Sequence, residues 1–347
     1  MRALVYHGPG RLELEDRPEP APDRGEAVIR VLAAGICGTD LRIAKGAHRA
    51  YPEGTRRVPG HEIAGEVVAV GAGVDATEVG DRVFVAPNLG CGRCPACRAG
   101  RVNLCTDAAA FGITLDGAFA EYMHVPAAAL DGGNLMSVPQ DADPAALSVV
   151  EPLACVLRGQ RAVALGEGDA VLVCGAGPIG LLHVLLARAA GARAVIVSEP
   201  HPRRRADAAE FGATAGVDPT AEDLRARVLE VTDGLGADVV ITAVPVPAVQ
   251  EQSLALAAVG GRINFFGGLP KDASRISIDS NVVHYRELTL TGTTANDTDD
   301  CRRALALATS GRVDLSRIVT ARFGLDEADD AFAAAGAGEQ LKVVIEP

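Results

Sequence analysis

Four of the chain's eight cysteines crowd into one stretch, Cys91-Gly92-Arg93-Cys94-Pro95-Ala96-Cys97 followed by Cys105. Three at Cys-x-x-Cys spacing plus a fourth nearby can wrap one tetrahedral ion in a closed four-thiolate site. Because protein fills every position, such a site is structural, and it would hold a lobe over 88–106 that has little core of its own. An iron–sulfur cluster is the alternative metal group, and a redox dithiol would need only two of these thiols.

A second set of donors is dispersed. Cys37 lies in Gly35-Ile36-Cys37-Gly38-Thr39-Asp40, His61 and Glu62 follow Gly60, and Glu151 precedes Pro152-Leu153. Thiolate, imidazole and carboxylate are the usual donors to zinc, and a catalytic site takes three of them while leaving a position for substrate or water. Taken singly, a cysteine also fits as a buried small hydrophobe, and a His–Glu pair as a surface pair.

The third constellation binds. Gly175-Ala176-Gly177-Pro178-Ile179-Gly180 is a G-x-G-x-x-G that follows an apolar run, Ala170 to Cys174. Gly175 permits the turn out of the strand, Gly177 lets backbone approach a pyrophosphate, and Gly180 lets helix pack on sheet. Pro178 and Ile179 open a helix whose free N–H groups face the phosphates. Ile179, Leu182, Leu186 and Ala189 make its apolar face, and Gly191 stops it. A second strand, Ala194 to Val197, leads to Glu199, about 20 residues beyond the fingerprint, where a carboxylate can hold the ribose hydroxyls. Arg203, Arg204 and Arg205 follow, and they could supply the charge a 2′-phosphate needs. A helix spreads three consecutive side chains over roughly 200°, so one or two at most, Arg204 among them, face the ribose. The direct hydrogen bonds of the carboxylate favour NAD over NADP.

These residues need two kinds of scaffold. The first 150 residues are rich in valine, glycine and proline, with short strands expected at 1–6, Ala27–Leu32, Ile63–Val70 and Arg82–Ala86, and a turn and strand over Gly112–Tyr122. From Val156 to about Gly292 the pattern becomes β-α-β, with strands at Asp238–Thr242 and Arg262–Phe266 and helices at 201–211, 221–231 and 247–258. A helix over 298–310 and a strand at Leu341–Ile345 close the chain, the strand returning to the first domain. Cys155, Cys174 and Cys301 read as core fillers.

At 347 residues two domains are expected. A net charge of −12, no tryptophan and 3% aromatics argue against nucleic acid or an anionic membrane as partner. Met1–Tyr6 reads as a strand and not as a signal segment, and His183 and Arg188 interrupt the longest apolar run. The expectation is a cytoplasmic protein whose cysteines serve metal or packing before disulfides.

Gly-Ile-Cys-Gly-Thr-Asp at 35–40, Pro-Gly-His-Glu at 59–62, Gly-Asp-Arg-Val at 80–83, the four-cysteine lobe, Glu151-Pro152-Leu153 and the glycine fingerprint occur in this order. Together they resemble the zinc-containing medium-chain dehydrogenase/reductase family over nearly the whole chain. The His-Glu and Glu-Pro-Leu pairs are similar to its sorbitol (polyol) and threonine dehydrogenase branch. The resemblance implies an α/β protein: a GroES-like β-rich catalytic domain from 1–153 and 293–347, with a Rossmann doubly wound parallel-sheet domain inserted over 154–292. It implies two zinc ions per subunit, one catalytic and one structural, and hydride transfer from a polyol or secondary alcohol to NAD. An amino alcohol of the threonine type is the alternative substrate, and a non-catalytic dinucleotide-binding redox sensor the alternative role. A homotetramer or homodimer is implied as well.

Residue by residue, Cys37 and His61 match the ligands of the family, with Glu62 or Glu151 completing the set. Thr39 matches the hydroxyl that takes the alcohol proton, and Asp40 the carboxylate that orients the ligand histidine. Lys342 falls where relatives place a basic residue near that aspartate and the pyrophosphate. One position departs: relatives carry a relay histidine where this chain has Arg42, which cannot shuttle protons at neutral pH. His48 is the substitute nearest in sequence.

Overall fold

Ala170–Cys174 is buried along its whole length, as an Ala-Val-Leu-Val-Cys run with parallel strands on both sides must be. In the computed structural model, which describes all residues Met1–Pro347, Ala194–Ser198 pairs with one edge of it and Ala237–Thr242 with the other. The six-stranded sheet runs Ala215–Val217, Ala194–Ser198, Ala170–Cys174, Ala237–Thr242, Ala257–Phe265, Thr289–Gly292. In chain order this is 3-2-1-4-5-6, the doubly wound arrangement whose ligand crevice opens beyond the carboxyl ends of the central strands. Helices Pro178–Ala189, Pro202–Glu210, Leu224–Val231 and Pro247–Leu256 alternate with the strands.

Two expectations shift in this sheet. The helix expected over 221–231 starts at Leu224, because the Asp223 side chain accepts the Ala226 N–H and caps it there. The fingerprint helix was expected to bury one stripe, yet Gly180–Val184, Leu186 and Ala187 are all buried.

Contacts divide the chain into Met1–Ala154 with Asn296–Pro347, and Cys155–Ala295. In the first unit a seven-stranded mixed sheet runs Val319–Gly324, Lys342–Glu346, Ala27–Gly35, Glu62–Val70, Arg82–Val85, Leu135–Ser137, with Tyr122–Val125 also pairing with Ala27–Gly35. The C-terminal strand lies antiparallel to Ala27–Gly35, Val344 opposite Gly35 and Ile345 opposite Ala34. The strands near the C-terminus therefore join the sheet built from residues 27–137, while Arg2–Gly8 pairs with Arg11–Asp16 in a sheet of its own; the core includes Ile29, Ile63, Val83, Phe119 and Ile345. The two-residue strands Asn88–Leu89 and Ala109–Ala110 pair across the base of the cysteine lobe. No helix is long and apolar enough to cross a membrane.

The turn and strand expected over Gly112–Tyr122 is instead an irregular loop, and the strand begins only at Tyr122. The cause is close backbone approach. A Cβ on Gly112 would lie 2.5 Å from the Gly60 carbonyl oxygen, and one on Gly117 would lie 2.1 Å from the same atom.

Buried in the fingerprint helix, His183 stands edge-on to Phe266 with ring centres 4.7 Å apart, and its Nε2 has no hydrogen-bond partner. Burial pushes its pKa down to about 3. An unfolded chain protonates this ring below about pH 6.5, whereas the folded chain does not until about 3. The fold should therefore lose up to ~1.4 kcal/mol per pH unit through this one group as pH falls through that window. In His183→Gln, urea unfolding followed from pH 7 to pH 4.5 should show a shallower acid loss than in the unmodified protein, even though the variant starts less stable. Parallel curves would remove His183 from the acid sensitivity.

Candidate functional site

Cys37 is the N-cap of the Gly38–Ala44 helix, and Asp40 closes a capping box by accepting the Cys37 N–H at 2.9 Å through Oδ2. The other oxygen of that buried carboxylate faces His61 Nδ1 at 3.5 Å, an ion-pair contact. One aspartate thus caps the helix beneath Cys37 and faces the ring of His61, though neither Asp40 Oδ1 nor His61 Nδ1 has a hydrogen-bond partner. Burial alone would lower the pKa of His61, but Asp40 and Cys37 outweigh it and raise it well above its ordinary value. The glycine loop described above grips the backbone just before this ring, where Gly60 takes φ +98°.

Sheet register places Glu62 opposite Gly35. A Cβ on Gly35 would sit 2.0 Å from Glu62 Oε2, so the glycine makes room for the carboxylate. Lys342 Nζ donates to Glu62 Oε1 at 2.7 Å, to Oε2 at 2.8 Å and to the Ile36 carbonyl at 3.3 Å. Both side chains are buried. This corrects the expected partners of Lys342: its ammonium is directed at Glu62, because the antiparallel pairing of the last strand with Ala27–Gly35 sets it beside Ile36. Burial would lower the pKa of Lys342, but Glu62 and Cys37 raise it, so the ammonium stays charged.

Ligand atoms of Cys37, His61 and Glu62 lie within 4.8 Å of one another. Glu151, the fourth residue expected at this site, is outside that group. Its Oε1 accepts the Asn296 amide at 2.6 Å, and burial raises its pKa, with Glu62 adding to the rise. Asn296 belongs to no motif, and the only signal in the sequence was a polar residue just before the 298–310 helix. Asp40, Glu62 and Glu151 are all buried, with Lys342 as the one buried ammonium among them. A thiol, an imidazole and a carboxylate converging in this way are the donor types a divalent zinc ion takes.

The four lobe cysteines bring their sulfurs within 4.8 Å of one another. Tetrahedral zinc–sulfur bonds of about 2.3 Å put sulfurs roughly 3.8 Å apart, so one ion fits. Backbone donors already face the sulfurs: Cys91 N–H to Cys105 Sγ and Cys97 N–H to Cys94 Sγ, both at 3.4 Å. The backbone N–H groups of Arg93 and Cys94 lower the Cys91 thiol to about 6, which favours the thiolate a metal binds. A Cβ on Gly90 would come 2.6 Å from Cys97 Sγ. A third cluster, His7, Glu13 and Glu15, is already paired with Arg11 and Arg56 on the surface.

In the doubly wound unit the three glycines differ as the fingerprint requires. Gly175 has φ +105°, and a Cβ on Gly180 would lie 2.0 Å from the Gly175 carbonyl oxygen. A Cβ on Gly177 would meet nothing within 4 Å, which leaves open space at the N-terminus of the Pro178–Ala189 helix, where no side chain caps the free N–H groups. That open, uncapped end suits a pyrophosphate. Glu199 is buried, with Oε2 accepting the Ala176 N–H at 2.9 Å and Oε1 the His201 N–H at 3.0 Å. Arg205 is engaged by the Glu199 and Pro200 carbonyls, both at 2.7 Å, and by Asp218. Arg204 is half-buried and Arg203 exposed.

Thr39 Oγ1 accepts from Arg42 at 3.1 Å. His48 is half-buried, its Nδ1 accepting the Ala50 N–H at 3.3 Å. Burial, then Arg42 and Arg49, lower its pKa, so the ring is neutral at neutral pH.

A doubly wound dinucleotide fold carried on the same chain as an open Cys/His/Glu donor set defines a metal-dependent oxidoreductase. Residues 23–132 match the alcohol dehydrogenase GroES-like domain and residues 178–310 the zinc-binding dehydrogenase domain. The chain is 37% identical over 352 residues to an L-threonine 3-dehydrogenase of Pyrococcus horikoshii, covering 99% of this chain and 98% of the relative. To a sorbitol dehydrogenase of Halalkalibacterium halodurans it is 31% identical over 351 residues, covering 100% and 99%. A zinc-binding dehydrogenase of Sinorhizobium meliloti, solved bound to NADP, superposes with a TM-score of 0.91 at 36% identity, covering 100% and 99% of the two chains. The chain belongs to the zinc-containing medium-chain dehydrogenase family.

Removing one member of a buried ion pair strands the other charge, at about 3–5 kcal/mol. Lys342→Met should therefore destabilise the chain by that order in urea unfolding. The double variant Lys342→Met with Glu62→Gln should recover most of the loss, and a double variant no better than the single one would show that the pair is not the cause.

Proposed function

We propose that this zinc-dependent oxidoreductase transfers a hydride from a polyol or other secondary alcohol to NAD, with its catalytic domain at 1–153 and 293–347 and its cofactor domain at 154–292. The observation that carries the reading is the convergence of Cys37, His61 and Glu62. Zinc held there supplies Lewis acidity to the substrate hydroxyl, and the nicotinamide supplies the hydride acceptor. Thr39 takes the hydroxyl proton, and the neutral ring of His48 is the group that carries it on. Asp40 holds the ring of His61, and Lys342 holds Glu62. Glu151 stands by to exchange with Glu62 or to act through water. Zinc in the Cys91, Cys94, Cys97 and Cys105 lobe is structural. A homodimer or homotetramer in the cytoplasm goes with the reading, on the strength of family membership alone.

The threonine-type reading has one observation in its favour. Arg42 sets a permanent cation on Thr39 Oγ1, where it would pair with the carboxylate of an amino-acid substrate. The threonine dehydrogenase relatives are in keeping with it.

For the cofactor, the buried carboxylate of Glu199 beside the fingerprint turn repels a 2′-phosphate, and Arg205 is already engaged. Absorbance of reduced nicotinamide, followed with a panel of polyols, secondary alcohols and L-threonine and with NAD and NADP, tests the whole reading. We expect turnover of at least one polyol or secondary alcohol with NAD preferred, and Glu199→Ala should relax that preference. A higher kcat/KM with NADP in the unmodified enzyme would overturn the cofactor assignment. Turnover of L-threonine alone would replace the substrate assignment, and no turnover with zinc-replete protein would favour a sensor.

A further inference from the structure

The segment 41–57 carries Arg42, Lys45, Arg49, Arg56 and Arg57 against one acid, Glu53, in a chain whose net charge is −12. Two of these cations are engaged by the protein. Arg56 pairs with Glu15 at 2.9 Å, and Arg57 Nη1 donates to the Ala50 and Ile113 carbonyls at 3.0 and 2.6 Å. Arg42, Lys45 and Arg49 are exposed, and none of them forms an ion pair. Thr39, Arg42 and Lys45 follow at intervals of three along the Gly38–Ala44 helix and its C-cap, so each is the surface neighbour of the next. The start of this row is fixed by contact: Arg42 Nη2 donates to Thr39 Oγ1 at 3.1 Å, and Thr39 stands two residues beyond Cys37. The other N–H groups of that guanidinium donate to no protein group.

A hydroxyl bound at Thr39 therefore has a permanent cation one hydrogen bond away, with a second, Lys45, next along the row. The nearby carboxylates are turned elsewhere: Asp40 accepts the Cys37 N–H and faces His61, and Glu62 takes the ammonium of Lys342. We propose that Arg42, with Lys45 behind it, is a specificity-determining residue, and that the substrate is a secondary alcohol with an anionic group, carboxylate or phosphate, close to the reacting hydroxyl. This rests on the reading that Thr39 takes the hydroxyl proton. A guanidinium fork holds either anion through paired N–H donors. An ammonium on the same substrate would enter beside the same cations, so a hydroxy acid fits this face better than an amino alcohol. In a chain of net negative charge, such a local row of cations draws in an anion that the rest of the surface repels.

The test follows reduced nicotinamide in full-length, zinc-replete enzyme given matched alcohols. Sorbitol, gluconate and phosphorylated sorbitol differ in the charge at one end of the same carbon chain. In a second set, sec-butanol, β-hydroxybutyrate and L-threonine differ by a carboxylate and then by an ammonium. We expect the better anionic member to exceed its neutral partner in kcat/KM by about 10- to 100-fold, the range of one charge-assisted hydrogen bond. β-Hydroxybutyrate should exceed L-threonine, and gluconate against phosphorylated sorbitol tells which anion is taken. In Arg42→Gln the anionic-to-neutral ratio should fall by the same factor, chiefly through KM. The ratio is the readout because any change at Thr39 falls on both members alike. Arg42→Lys should keep part of the preference, Lys45→Gln should lower it less, and added salt should shrink it in the unmodified enzyme. A ratio of one or below in the unmodified enzyme, or one that Arg42→Gln leaves unchanged, would overturn the proposal while leaving the dehydrogenase reading intact. L-Threonine preferred to β-hydroxybutyrate would overturn it in favour of an amino alcohol. If no alcohol of either set is turned over, the dehydrogenase reading fails, and the proposal with it.

Discussion

The buried charge of the first unit is the constraint to which its other features answer. Asp40, Glu62 and Glu151 are out of water, and isolated carboxylates in that state are costly enough to neutralise themselves or move. Each is held differently: Asp40 by a helix-capping N–H and the ring of His61, Glu62 by the ammonium of Lys342, and Glu151 by the amide of Asn296. His61 and Lys342 face two of these carboxylates, and a divalent ion would use the donors that converge at Cys37, His61 and Glu62. Metal bound there would couple metal affinity to fold stability in this unit.

Glycine sets the distances. Gly35 opens the space into which the Glu62 carboxylate projects, and Gly112 and Gly117 let a loop lie against Gly60 next to His61. In the doubly wound unit Gly177 leaves open space where Gly180 leaves none, the difference between a position that must admit a ligand and one that must admit a neighbouring backbone. The donors are few, and much of the sequence around them serves to let backbones approach.

What could be read in advance was whatever is local. The fingerprint strand and its helix, the acid after the second strand and the spacing of the lobe cysteines are short-range patterns, and the structure has strands at Ala170–Cys174 and Ala194–Ser198 as periodicity suggests. That Cys37, His61 and Glu62 converge was legible only through the order of the motifs, since nothing in their spacing brings them together. The pairing of Lys342 with Glu62 was not legible, because it depends on the register of a strand from the far end of the chain. The pairing of Asn296 with Glu151 is equally remote, and an isolated asparagine carries no pattern. The loop at Gly112–Tyr122 was misread as turn and strand because its two glycines answer to Gly60, half a chain lobe away in sequence and adjacent in space.

The account stands on two metal sites of different kind, one open and catalytic, one closed and structural. Elemental analysis of fully loaded protein, with Cys37→Ser and Cys97→Ser measured beside it, tests this most directly. Two zinc ions per chain are expected in the unmodified protein. Cys37→Ser should lose the open-site ion and all turnover while remaining folded, whereas Cys97→Ser should lose thermal stability first. One zinc ion per fully loaded chain would contradict the account.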